Sequence, residues 1–415
     1  MVRVIVASDK FKGSLTSAEV AAAVGVGVRH VCPNAEVVAV PVADGGDGTL
    51  AAAVAAGYSL VPVIASGPTG LPVRSGYARR GDTAVVELAD VCGLVRLSNG
   101  FAPLTASSFG CGELISAALE AGCTRVILGI GGSASTDGGR GLIQALTSPA
   151  NRSVSEPPTP TAQSSATNPM HDLKPDASPA GNPHLIPVAN GLAAVDLIPD
   201  GTGGAQALDT AALRARLDGV QIVVACDVDN PLAGPRGAAA VYGPQKGASA
   251  SEVSLLDARL TEWADQVAAA TGRDLRDTPG AGAAGGVGFA ALALLDAELR
   301  PGIDLMLELV GFREHLTGAD LVITGEGALD EQTLHGKAVA GVAAASDVPV
   351  VAVCGVNKLR PDQLTTIGIR AAYALTDLEP DVARCIAEPI PLLEKLAEQI
   401  ATEHLTMAET GEVSA

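Results

Sequence analysis

Carboxylates and lysines in this 415-residue chain gather on a few glycine-punctuated stretches, and their types suit the handling of a phosphate group and its cation. Asp44 and Asp47 flank two glycines in Ala43-Asp44-Gly45-Gly46-Asp47-Gly48-Thr49. Asp227 stands in Cys226-Asp227-Val228-Asp229, and Glu326 and Asp330 share Gly325-Glu326-Gly327-Ala328-Leu329-Asp330. Carboxylates so placed can hold Mg²⁺ or take a proton from a hydroxyl. Lys10 and Lys12 lie in Ser8-Asp9-Lys10-Phe11-Lys12-Gly13-Ser14, and Lys337 closes the stretch that Glu326 opens. The run from Gly129 to Gly139 contains Gly131, Gly132, Ser133 and Asp137. Its glycines let the backbone approach a phosphate without interference from Cβ, and a following helix would add unpaired N–H groups. It is not a Walker loop, because no Lys-Ser or Lys-Thr follows a glycine at the required spacing. Ser107 and Ser108 begin a hydroxyl- and glycine-rich helix start that suits a carboxylate or phosphate. Each feature also has a plainer use, since Asp and Ser cap helices and make turns, and lysines decorate surfaces. Together they are the parts of a phosphoryl-transfer site: cations neutralise phosphate oxygens while a carboxylate orients or deprotonates the accepting hydroxyl.

The elements that must position these groups are legible from periodicity. Apolar, β-branched runs at Val2 to Ala7, Glu36 to Val42, Arg125 to Leu128, Val220 to Ala225, Asp320 to Thr324 and Val348 to Cys354 predict strands. Most of them deliver one of the loops above, and helices follow. Thr16-Ser17-Ala18-Glu19 is a capping box opening a helix to Val31, and the spacing of Leu142, Ala145 and Leu146 predicts a helix after Gly139. In open parallel sheets, ligands bind outside the carboxyl ends of the strands, where these loops lie. Short β-rich runs from Tyr58 to Leu97 mark a change of architecture. The last third returns to the strand–helix alternation of the first 60 residues, so one parallel-sheet domain is expected to be discontinuous, with the middle inserted into it. Gly280 to Gly285 matches G-x-G-x-x-G, but no strand precedes it, so a dinucleotide site is disfavoured and a close backbone approach is expected instead.

Composition narrows the class. Hydrophobic residues make up 47% and aromatics only 2%, which points to layered α/β packing of Ala, Val, Leu and Ile. A net charge of −19 argues against a nucleic-acid surface, which needs clustered Lys and Arg. The seven cysteines are scattered, with neither zinc-finger nor C-x-x-C spacing, as in a reducing compartment. No signal segment or run of 18 apolar residues is found, so a cytoplasmic protein without a membrane partner is expected, and homo-oligomerisation stays open. Residues 148–187 hold nine of the 26 prolines among Ser, Thr, Ala and Asn, and are expected to be a disordered insertion, with a hairpin at Asn190-Gly191 beyond it. A polar tail follows about residue 405.

Five of these stretches, in order, resemble the bacterial glycerate kinase family: Ser-Asp-Lys-Phe-Lys-Gly-Ser at 8–14, Ala-Asp-Gly-Gly-Asp-Gly-Thr at 43–49, Gly-Ile-Gly-Gly-Ser-Ala at 129–134, Ala-Cys-Asp-Val-Asp-Asn-Pro-Leu at 225–232, and Thr-Gly-Glu-Gly at 324–327 with Thr-Leu-His-Gly-Lys at 333–337. The resemblance covers residues 1–146 and about 187–400. It implies ATP-dependent phosphorylation of D-glycerate, usually at the 2-hydroxyl, with the 3-hydroxyl as the alternative acceptor. It also implies an α/β fold, in which a discontinuous flavodoxin-like parallel-sheet domain (1–60 and 290–400) carries a second, inserted α/β domain (61–289). On that basis Lys10, Asp47, Asp137 and Asp330 are expected to be catalytic, and Lys12, Ser14, Ser107 and Ser108 to contact glycerate. Gly131, Gly132, Ser133 and Lys337 would take the ATP phosphates, and Asp44, Asp227 and Glu326 would bind Mg²⁺. A nucleotide sensor without turnover would keep the glycine loops but has no need of the paired carboxylates.

Overall fold

Strand β1 (Arg3–Ser8) buries both of its faces, and the alternation of its side chains assigns each face a different core. Val4 and Val6 meet the helices Ser17–Val31 and Pro389–His404, while Ile5 and Ala7 face Leu50, Met306 and Val339 on three other helices. A strand covered on both sides belongs in a parallel sheet. In the computed structural model, which describes residues 1–148, 186–187, 208–335 and 338–406, β1 pairs in parallel with β2 (Glu36–Ala39) and with β10 (Leu321–Leu329). The sheet continues in parallel through β11 (Val350–Asn357) and β12 (Ile369–Ala374), in the order β12-β11-β10-β1-β2. Numbered along this sheet's own strands, that is the flavodoxin order 2-1-3-4-5. The predicted capping box is present, with Thr16 accepting from the Glu19 N–H and Glu19 accepting from Thr16.

The second sheet has seven strands in the order β7-β3-β4-β5-β6-β8-β9. Strands β3 (Ser59–Ser66), β4 (Pro72–Arg80) and β5 (Thr83–Glu87) form an antiparallel meander. From β5 onward, β6 (Arg125–Gly129), β8 (Gln221–Ala225) and β9 (Glu298–Arg300) run parallel, and β7 (Ile186–Pro187) pairs with β3. Strand β9 carries this sheet to residue 300, ten residues past the return to the first sheet expected from sequence. One face packs Val126, Leu128, Ile222 and Val224 against the helices Phe109–Glu120, Arg140–Thr147, Ala250–Thr271 and Ala283–Leu294. The other face sends Val85 and Ile127 into the core that also holds Ile5 and Val350. The helices Thr49–Ala55 and Gly302–Leu309 are therefore shared between the two sheets. All seven cysteines are free, and five of them are buried. Most of the 148–187 insertion, the Asn190-Gly191 turn, Lys337 and most of the polar tail lie outside the described residues.

Candidate active site

In the first sheet, chain connections lead to opposite sides at the junction of β1 and β10, and the crevice at such a junction is where ligands bind. The register sets Ser8 beside Gly325, with the Asp9 N–H donating to the Gly325 carbonyl at 2.9 Å, so Asp9 and Glu326 emerge side by side. Burial, together with Asp44 and Glu326 nearby, pushes the Asp9 carboxyl up to about 7. Lys10 reaches across to the neighbouring loop, donating to the Asp47 carbonyl at 2.6 Å and to the Asp47 carboxylate. Lys12 is exposed, its backbone beside Gly327. Glu326 accepts from the Thr333 hydroxyl at 2.6 Å.

The second sheet brings its own loops to this crest. The ideal Cβ of a side chain at Gly131 would stand 2.6 Å from the Gly46 Cα, and one at Gly45 would stand 2.5 Å from the Ala225 Cβ. Only glycine permits so close an approach, and Gly45 has φ +83° besides. Asp227, at the end of β8, accepts from the Gly302 N–H at 2.8 Å, and the Asp44 carbonyl packs on the same Gly302. Glu87, ending β5, reaches back into the Asp44–Thr49 loop. It accepts from the Leu50 N–H at 2.8 Å and the Gly48 N–H at 3.2 Å, and burial pushes its carboxyl up to about 7. The Asp44–Thr49 loop is thereby clamped between both sheets.

Asp137, Ser107 and Ser108 form a second group. Asp137 accepts from the Ser108 N–H and hydroxyl, both at 2.8 Å, the Gly139 N–H at 3.0 Å, the Gly141 N–H at 3.2 Å and the Ser107 hydroxyl at 3.4 Å. The Ser108 hydroxyl in turn accepts from the Leu142 N–H at 3.0 Å. The first-turn donors of helix Arg140–Thr147, expected to face an anion, are therefore taken by the protein itself. The end of the loop left open is Gly131 and Gly132, of which Gly132 is exposed. Behind it, buried Lys246 donates to the Ser133 hydroxyl at 2.9 Å and to the Ser135 carbonyl at 2.6 Å. The G-x-G-x-x-G match is likewise internal: the Gly138 N–H donates to the Gly285 carbonyl, and a Cβ on Gly285 would meet the Ser135 carbonyl at 2.1 Å. That stretch is a backbone-packing site for the loop, which removes the basis for a nicotinamide reading.

The chain matches the model of the glycerate kinase family over residues 4–164 and 193–405. The chain belongs to the glycerate kinase family. Relatives include a protein of Bacillus subtilis (strain 168) named glycerate kinase, 38% identical over 98% of this chain and 99% of its own length. Another, of Escherichia coli (strain K12), is named glycerate 2-kinase and is 39% identical over 85% of each chain. A crystal structure ascribed to glycerate kinase 2 of Salmonella typhimurium LT2 superposes with a TM-score of 0.71 at 33% identity, covering 97% of this chain and 98% of that one. The protein is thus a kinase with the two-sheet α/β architecture of its family.

Within this member of the family the expected site residues fall into three classes. Lys10, Asp44, Asp47, Asp227 and Glu326 are drawn to one crest, with Gly131 against it. Ser107, Ser108 and Asp137 are joined to one another and brace the glycine loop. Ser14 turns away, donating to the Ile386 carbonyl at 3.3 Å, and Asp330 closes a turn by accepting from the Gln332 N–H at 3.0 Å. Among the described residues no three His, Cys, Asp or Glu side chains are set to hold a metal ion. Mg²⁺, however, commonly takes only one or two carboxylates and completes its shell with water and substrate phosphates. The crowding of Asp9 by Asp44 and Glu326 is what such a cation would relieve. Three further candidates were given no role from the sequence. Asp9 carried a signal in its strand-end place beside Lys10, Glu87 a weaker one as the charge ending Thr-Ala-Val-Val-Glu, and Lys246 none beyond a Gly-Pro turn. A cavity of about 600 Å³ lined by Arg313, Leu316 and Val348 lies at the amino ends of β10 and β11, the opposite end from this crest. No helix among the described residues is long and apolar enough to cross a membrane.

Proposed function

We propose that this kinase transfers the γ-phosphoryl group of ATP to the 2-hydroxyl of D-glycerate, giving 2-phosphoglycerate and ADP. The observation that carries the reading is the contact of Gly46 with Gly131. It joins the carboxylate and lysine crest of one sheet to the open end of the glycine loop of the other, so an acceptor and a phosphoryl donor can share one crevice. The name of the E. coli relative supports the 2-position.

Lys10 and Lys12 meet the glycerate carboxylate, and the Gly131–Ser133 end of the loop, with Lys337, meets the nucleotide phosphates. Asp47 receives the proton of the 2-hydroxyl: its carboxylate is largely exposed at the crest and is held in place by Lys10. As that oxygen bonds to the γ-phosphorus, the bond to the β–γ bridging oxygen breaks and the electron pair leaves with ADP. Asp137, with five donors already directed at it, organises the loop and Ser108. Asp44, Asp227 and Glu326 are the groups to hold Mg²⁺, which supplies charge neutralisation at the phosphate oxygens. Phosphorus NMR of the protein with D-glycerate and Mg-ATP, followed by separation of the phosphoglycerate isomers, tests the reading. Formation of 2-phosphoglycerate is expected. 3-Phosphoglycerate would overturn the position, and no phosphoglycerate from a folded, ATP-binding protein would overturn the acceptor.

A further inference from the structure

A lysine with no carboxylate bonded to it is an unusual thing to bury, and Lys246 is 3% exposed. Its turn, Pro244–Lys246 followed by Gly247 at φ +89°, drives the side chain under the glycine loop, where both acceptors it finds are neutral, the Ser133 hydroxyl and the Ser135 carbonyl. An ammonium has three N–H groups, and among the described residues the third has no acceptor. Two further donors in the same short segment are also unspent. The Ser135 and Thr136 hydroxyls are buried with no partner among the described residues. Buried polar groups are nearly always paired, so two unspent hydroxyls in the segment that a buried ammonium braces leave donor capacity there, and with the positive charge beside it that capacity suits an anion. The loop above it is the one whose open end is Gly131 and Gly132.

We propose that Lys246 is a positioning residue that fixes the Ser133–Thr136 segment and places a positive charge beneath the nucleotide's phosphates. The assignment rests on the reading that the glycine loop takes those phosphates. A charge set in a dry, preorganised position costs no rearrangement when the anion arrives, and water screens it little. Asp137 is the carboxylate whose field reaches Lys246. It opposes burial only in part, and burial lowers the ammonium to about 8. An arriving phosphate favours the protonated form, so nucleotide binding at pH 8 draws a proton from solution, and affinity falls as pH rises beyond 8.

The test uses the full-length protein with ADP as probe, titrated by calorimetry at pH 8 in two buffers of different ionisation enthalpy. Kinase assays at pH 7 and 9 accompany it. Wild-type protein is expected to take up a fraction of a proton per ADP bound. Lys246→Met is expected to lose that uptake and to raise KM for ATP by about tenfold or more at pH 7, leaving KM for glycerate within about twofold. A folded Lys246→Met variant with the wild-type KM for ATP and unchanged proton uptake overturns the proposal. Should the variant not fold, the wild-type titration decides: ADP binding without proton uptake overturns the role of Lys246 and leaves the kinase reading intact. A wild-type protein that binds no ADP overturns the nucleotide reading and this inference with it.

Discussion

Glu87 makes a quantitative prediction, because its carboxyl is buried between two sheets and lies far from its ordinary value. Burial raises it from 4.5 to about 7, against the lowering effect of the Leu50 and Gly48 N–H groups. A carboxyl raised in the native state favours the protonated form there. Its stabilising contribution is complete below about pH 4.5 and is lost as pH rises through about 7. Between pH 5 and pH 8 the loss is on the order of 2 to 3 kcal/mol. Glu87→Gln keeps an acceptor for the Leu50 N–H but cannot ionise, so it removes that pH dependence. Asp9, raised in the same direction to about 7, is present in both proteins and cancels in the comparison. The assay is equilibrium urea unfolding at pH 5 and pH 8, followed by fluorescence of Trp263. This is the chain's only tryptophan, and its indole N–H donates to the Gly138 carbonyl at 3.0 Å. Wild type is expected to lose more stability than Glu87→Gln on going from pH 5 to pH 8, by an amount on the order of 2 to 3 kcal/mol. Parallel pH profiles for the two proteins would refute the reasoning and show Glu87 to be hydrated or already charged in the native state.

Other consequences can be checked alongside. Gly302→Ala places a Cβ 2.0 Å from the Asp44 carbonyl oxygen and 2.9 Å from the Asp227 carboxylate. A displacement of about 1 Å at the crest should lower kcat/KM about 10²-fold, whereas Gly57→Ala, which meets nothing within 4 Å and bears only the backbone strain of its φ of +89°, should cost stability but leave the turnover of the folded protein near wild type. Equal turnover in the two variants would contradict this. Asp137→Ala leaves the Ser108, Gly139 and Gly141 N–H groups without their acceptor and should cost about 3 kcal/mol, seen as a lowered melting temperature. An unchanged melt would show the network to be dispensable. Asp47→Asn should reduce kcat about 10²-fold or more with the fold intact by circular dichroism, and wild-type turnover would remove Asp47 as the proton acceptor.

The amino-acid sequence by itself determined the local elements and the glycine-rich turns between them. Strand periods, the Thr16 capping box and the helix after Gly139 depend on neighbours within a few residues, so they are readable without a fold. It also carried the family, through motifs kept in order along the chain, and it showed the likeness between the two ends. What only the tertiary structure decided is partnership across long separations. Asp9 stands beside Glu326 because β1 pairs with β10, some 317 residues away along the chain, and no local pattern encodes that pairing. Asp137 looked like a free carboxylate until the chain returned Ser107 and Ser108 to it. Gly280 to Gly285 was expected to make a close backbone approach, and only the fold showed Ser135 to be what it approaches. Glu87 and Lys246 were unremarkable as letters. Their meaning lies in burial, which strips water from a charge and leaves its distant neighbours to determine what it can do.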